Sequence, residues 1–224
     1  MSSVSHLQDH SYEHIRPFDQ ESLFEMIKWN TTIKKMKLLN IHLGVGSLGK
    51  SLEANVSLKE LIMKGVKGDM SLLGDYDLHI EDLEIHNTGF LYGDRTDCMC
   101  GRCGIEEISI DLSKMTFPKK LILDNVQLAG KFFIPENLLY VKITKLEDYD
   151  LDEIFECLKT NTTLKALHVQ RLRDKNLCGH FFHEVQDKCM VLWKCNTTLE
   201  SLCLDRNKRW SGKCFFGGPG MNYC

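Results

Sequence analysis

Proline is scarce in this chain, four in 224 residues, and there is no low-complexity tract, which argues against long disordered linkers. No stretch approaches the ~18–20 consecutive apolar residues that a membrane span needs. The first twenty residues, MSSVSHLQDHSYEHIRPFDQ, lack the basic start and apolar stretch of a signal peptide. The expected location is therefore the cytoplasm, with the nucleus as the alternative. A charge excess is missing too. With a net charge of −3 and a sequence pI of 6.3, no global field draws the chain to nucleic acid or to an anionic membrane. No membrane partner is expected, and nucleic acid gets no support.

Catalytic signatures are equally sparse. The sequence has no P-loop, no G-x-S-x-G and no H-E-x-x-H, and no spacing singles out a Cys–His nucleophile pair. Gly44-Val-Gly46-Ser-Leu-Gly49 mimics a dinucleotide-binding fingerprint, but no acidic residue follows at the end of a next strand, since Asp69 falls in a loop. A non-enzymatic protein is the expectation. Ten cysteines are dense for this length, and without a secretory signal the default is reduced thiols, with metal binding as the minority reading.

Against these absences stands a repeat. Four sequons open the same frame: Asn30-Thr-Thr-Ile33-Lys-Lys-Met36-Lys-Leu38, Asn55-Val-Ser-Leu58-Lys-Glu-Leu61-Ile-Met63, Asn161-Thr-Thr-Leu164-Lys-Ala-Leu167-His-Val169 and Asn196-Thr-Thr-Leu199-Glu-Ser-Leu202-Cys-Leu204. Without the asparagine, the apolar part recurs at Ile80/Leu83/Ile85, Ile105/Ile108/Ile110, Pro118/Leu121/Leu123 and Leu138/Val141/Ile143. First slots of these eight copies step by 25, 22, 25, 13, 20, 26 and 35 residues. The last two apolar positions alternate with polar ones, the period of a half-buried strand. Upstream of each sequon the period becomes helical: Ile27, Leu52, Leu158 and Trp193 lie three residues before the asparagine, and Leu23, Leu48, Ile154 and Cys189 seven before it.

The stretch L-x-x-L-K-x-N-T-T-L-x-x-L-x-L, clearest over Leu151–Val169, resembles the leucine-rich repeats of the ribonuclease-inhibitor type. This resemblance implies an α/β fold, a leucine-rich-repeat solenoid with a curved parallel sheet on its concave face and short helices and irregular segments on the convex face. Such repeats cannot bury their apolar sides singly and stack into one continuous core. The implied division is an N-terminal capping segment over residues 1–20, a solenoid over 21–205 and a C-terminal tail or cap over 206–224. The asparagine that the family carries after its strands is matched weakly by Asn40, Asn87, Asn125 and Asn207. The middle, about 64–145, keeps the strands and loses the helical period, and the 13-residue step from Ile105 to Pro118 is too short for a helix.

Alternation assigns the outward side chains. Eight adjacent strands in chain order would gather Asp82, Glu84, Glu107 and Asp111 into an acidic patch, with His86, Ile122 and Tyr140 beside it. That face is the expected partner-binding site, for another protein with a basic surface. Cys98-Met-Cys100-Gly-Arg-Cys103 is the sharpest local motif: three thiols with zinc-knuckle spacing, lacking a second pair and needing His86, His79 or Asp97 as fourth ligand. The alternative function is thus a structural protein with a zinc-stabilised loop, a building block of an assembly. The Cys178/His180/His183 cluster carries less, because Cys189 downstream fills a helix core slot.

Overall fold

The computed structural model describes residues 17–39, 45–66, 70–87, 109–144, 146–147, 151–170, 172–173, 181–204 and 214–217. In chain order these form α1 (Pro17–Trp29), β1 (Lys35–Leu39), α2 (Val45–Glu53), β2 (Glu60–Lys64), a 3-10 segment (Met70–Asp75), β3 (Asp82–His86) and β4 (Ser109–Ile110). A 3-10 turn (Leu112–Lys114) leads to β5 (Lys120–Asp124), β6 (Gln127–Leu128), β7 (Tyr140–Ile143) and β8 (Leu146–Glu147). Then come α3 (Leu151–Thr160), β9 (Ala166–Val169), β10 (Leu172–Arg173), α4 (Phe181–Cys195), β11 (Ser201–Leu204) and β12 (Cys214–Gly217).

This is an α/β fold built on one large sheet, ordered β1-β2-β3-β5-β7-β9-β11-β12. Its first seven strands are parallel, and β12 closes the last edge antiparallel to β11. Two small parallel pairs, β4 with β6 and β8 with β10, lie apart from it. Register is constant: Lys35, Glu60, Asp82, Lys120, Tyr140, Ala166 and Ser201 are successive partners. Each begins its strand two residues after the first apolar slot of its copy, so seven of the eight copies fall on the large sheet without a slip.

The eighth copy does not. β3 pairs directly with β5, and of the Ile105–Ile110 copy the described part, Ser109–Ile110, pairs with Gln127–Leu128 instead. The reason is length. A parallel crossover needs roughly a dozen residues or more, and too few separate Ile110 from Lys120. Ile110, Leu112 and Met115 are nonetheless buried, filling the layer behind the sheet where other units place a helix.

Helices precede all four sequons, as their spacing requires, and their inward residues Ile27, Leu48, Leu52, Ile154, Leu158 and Cys189 are fully or almost fully buried against the strand residues Leu61, Leu83, Leu121, Val141, Leu167 and Leu202. Each such side chain contributes about 1.5–3 kcal/mol relative to exposure. In α4 the closest packing falls to Leu192, while Trp193 is only half-buried. Asp152 and Glu153 in the first turn of α3 and Lys159 in its last complement the helix dipole. Glycine 49 of α2 has a packing role: a Cβ there would meet the Tyr76 ring at 2.3 Å, so the helix can approach the 3-10 segment only because this side chain is missing. Among the described residues, no helix is long and apolar enough to cross a membrane.

The asparagines join one unit to the next. Asn196 is buried, and its Oδ1 accepts from the backbone N–H of Thr198 (2.9 Å) and Leu199 (2.8 Å), closing the turn between helix and strand. Its Nδ2 donates back to the carbonyls of Leu158 (2.6 Å) and Asn161 (2.9 Å) in the preceding unit. Asn161 and Asn55 repeat the arrangement, reaching Ile134 and, for Asn55, Ile27 and Asn30. Asn30 makes the turn bonds to Thr32 and Ile33. In the helix-poor middle, Asn137 takes over the backward link, donating to Pro118 O (2.5 Å) and Met115 O (3.3 Å). The sequons therefore mark structural asparagines. After the strands, Gly65 and Asn125 turn the chain with φ of 61° and 55°, values that glycine and asparagine tolerate best.

Candidate binding face

A strand buries alternate residues, and in β3 and β5 the pattern is strict: Leu83, Ile85, Leu121 and Leu123 face the helices, while Asp82, Glu84, His86, Lys120, Ile122 and Asp124 occupy the opposite face. Parallel register turns these into rows. The first row runs Lys35, Glu60, Asp82, Lys120, Tyr140, Ala166, Ser201. The middle row runs Lys37, Ile62, Glu84, Ile122, Lys142, His168, Cys203. The third runs Leu39, Lys64, His86, Asp124. No helix among the described residues covers these rows.

The direct pairing of β3 with β5 sets the electrostatics of this face. Lys120, rather than Glu107, now lies beside Asp82 and Glu84, and its Nζ is 3.7 Å from each carboxylate. Glu60 is held by Lys35 at 2.6 Å. That hydrogen bond chiefly holds the Lys35 ammonium above its ordinary pKa, against an opposing effect of burial and aided by the charges of Glu60, Glu84 and Asp82. His86 stands between two acids, Nε2 at 3.3 Å from Glu84 and Nδ1 at 3.2 Å from Asp124, and Asp124 also accepts from the Thr144 hydroxyl. At the strand entrances Glu81 bridges Lys119 (2.9 Å) and Lys59 (3.6 Å). The Lys119 hydrogen bond, chiefly, holds the Glu81 carboxyl below its ordinary value.

Of the residues read from the sequence as a partner site, the structure brings together Asp82, Glu84, His86, Ile122 and Tyr140. It separates Asp111, whose carboxylate instead caps the 3-10 turn by accepting from Ser113 N (2.9 Å) and Oγ (2.6 Å). Glu107 and the thiols Cys98, Cys100 and Cys103 lie outside the described residues, as do Asp97, Cys178 and His180. Two outward residues are more covered than alternation implies: Ile62 is 8% exposed and Cys203 3%. Cys203 is the Cα partner of Phe215 on the closing strand β12. The sequence reading missed the Lys120–Asp82–Glu84 cluster because it placed a strand between β3 and β5. The short 13-residue step was the available signal.

Neither a known protein family nor a curated protein matches this chain.

Proposed function

We propose that the chain is a leucine-rich-repeat solenoid of the ribonuclease-inhibitor-like type and acts, without catalysis, as a module that holds another protein on the concave face of its sheet. The observation that carries this reading is a face of the parallel sheet that no helix among the described residues covers. Parallel sheets are ordinarily buried on both sides, yet here one side receives the helices and the other carries three rows of polar and isolated apolar side chains. The repeat supports the solenoid: sequential strands, constant register and asparagine links from each helical unit to the one before it. Ile122 and Tyr140, half-buried in the middle of the face, are suited to anchor an interface.

The test is capture from lysate by the full chain, compared across two surface variants. Ile122→Glu with Tyr140→Ala alters the open face; Met190→Glu with Val191→Glu alters exposed residues of α4 on the helix side. The first variant is expected to lose the proteins that wild type retains, and the second to keep them. The opposite pattern refutes the reading.

A further inference from the structure

The ion pairs on the open face indicate what kind of partner it fits. Each described carboxylate in the three rows is already engaged: Glu60 by Lys35, Asp82 by Lys120, Glu84 by Lys120 and His86, Asp124 by His86 and Thr144. Lys37, Lys64 and Lys142 share those rows and, among the described residues, have no carboxylate at ion-pair distance. A basic partner would have to share or displace groups already in place on these carboxylates. An acidic partner meets three ammonium groups that no carboxylate among the described residues holds.

The middle row sets the geometry. Lys37 and Lys142 stand on β1 and β7, four strand spacings apart, which is about 19 Å at ~4.8 Å per strand. Between them lie the half-buried Ile122 and the largely covered Ile62, with Glu84 placed 3.7 Å from Lys120 Nζ and 3.3 Å from His86 Nε2. We propose that this face binds an acidic protein segment crossing the strands, apolar at its centre and bearing carboxylates that meet Lys37 and Lys142, with Lys64 to one side. As an α-helix, the span between those carboxylates is about 13 residues at 1.5 Å each. This rests on the reading of the open face as the binding face, and reverses the partner charge implied by the acidic residues alone.

The test uses the full chain and three fluorescent probes: a helical peptide with a leucine stripe and glutamates at that spacing, the same peptide with lysines for glutamates, and a single-stranded oligothymidylate. Anisotropy is read at low salt and at about 0.15 M. The acidic peptide is expected to bind about tenfold more tightly than its charge-swapped counterpart. Lys37→Met with Lys142→Met should level the two, and Lys37→Glu with Lys142→Glu should invert them, at unchanged melting temperature. A wild-type preference for the lysine peptide, lost in Asp82→Asn with Glu84→Gln, overturns the charge assignment and leaves the face reading standing. Binding unaffected by every face substitution, or no binding, overturns the proposal, and the lysate comparison then reports separately on the face. Oligothymidylate binding as tight as the acidic peptide overturns the assignment to a protein partner.

Discussion

Replacing asparagine by aspartate at two equivalent positions should cost very different amounts. Aspartate keeps the oxygen that closes the turn and removes the amide that reaches backward. At Asn30 the side-chain hydrogen bonds are turn bonds to Thr32 and Ile33, and the residue is half-exposed. Asn30→Asp is therefore expected to change stability by no more than about 0.5 kcal/mol. At Asn196 the amide donates to two carbonyls, Leu158 O and Asn161 O, at a buried site. Asn196→Asp leaves both acceptors facing a carboxylate oxygen, and at about 1–3 kcal/mol per orphaned buried group the difference between the variants should be about 3 kcal/mol. For a chain of this size that corresponds to roughly 6–12 °C in melting temperature. A burial-raised carboxyl can donate once protonated, so the Asn196→Asp deficit should shrink between about pH 8 and about pH 5. Thermal unfolding followed by circular dichroism reads both effects. Equal shifts for the two variants would refute the idea that these asparagines hold one unit to the next.

Four further outcomes follow from the structure. Leu121→Ala, at the centre of the sheet with no exposed surface, should destabilise by about 2–5 kcal/mol in urea unfolding, whereas Lys59→Ala should stay within about 0.5 kcal/mol. The Glu81 carboxyl should titrate below its ordinary value by NMR, and Lys119→Met should move it upward; being depressed on folding, its small contribution is present at neutral pH and fades as pH falls through the folded-state value. Burial pushes the Cys157 thiol up, against an opposing backbone hydrogen bond with Ile134, so iodoacetamide should label exposed Cys195 well before Cys157, with buried Cys189 and Cys203 protected, as read by peptide mass spectrometry. Gly49→Ala should displace the Tyr76 ring and lower the melting temperature despite alanine's better helix propensity, whereas Gly49→Ala combined with Tyr76→Ala should recover part of that loss.

The large sheet was legible from the sequence because its signal is local. Three apolar positions at fixed offsets, repeated, gave the start of seven strands, and apolar residues four apart before Asn55 (Leu48, Leu52) and Asn161 (Ile154, Leu158) marked helices α2 and α3. The Ile105–Ile110 copy had the same local pattern and a different fate, since whether a strand joins a sheet depends on the length of chain returning from it. The open face was legible residue by residue, but not the ion pairs across it. Asp82 and Glu84 do face outward, but their neighbours belong to Lys120, 38 and 36 residues away, and which cation stands beside them is decided by strand order. Asp111 had a short-range role, capping a 3-10 turn, that its charge alone did not disclose. Nothing in the sequence separated Ile62 and Cys203 from truly exposed neighbours, because coverage of the face depends on long-range packing.

The constant register bears on how such a molecule can change. Residues opposite one another on adjacent parallel strands of the large sheet are 20 to 38 positions apart along the chain, yet they sit one strand spacing apart in space. Connector length and surface layout are thus decoupled. A connector joining two anchored strand ends lengthens at a cost that grows only logarithmically, about 0.6 kcal/mol per doubling. Segments such as the one between His86 and Ser109 can therefore gain or lose residues while the rows beside them keep their order. The face acts as a printed line whose letters are replaced one at a time, and the connectors behave as margins in which new features are added without moving the text.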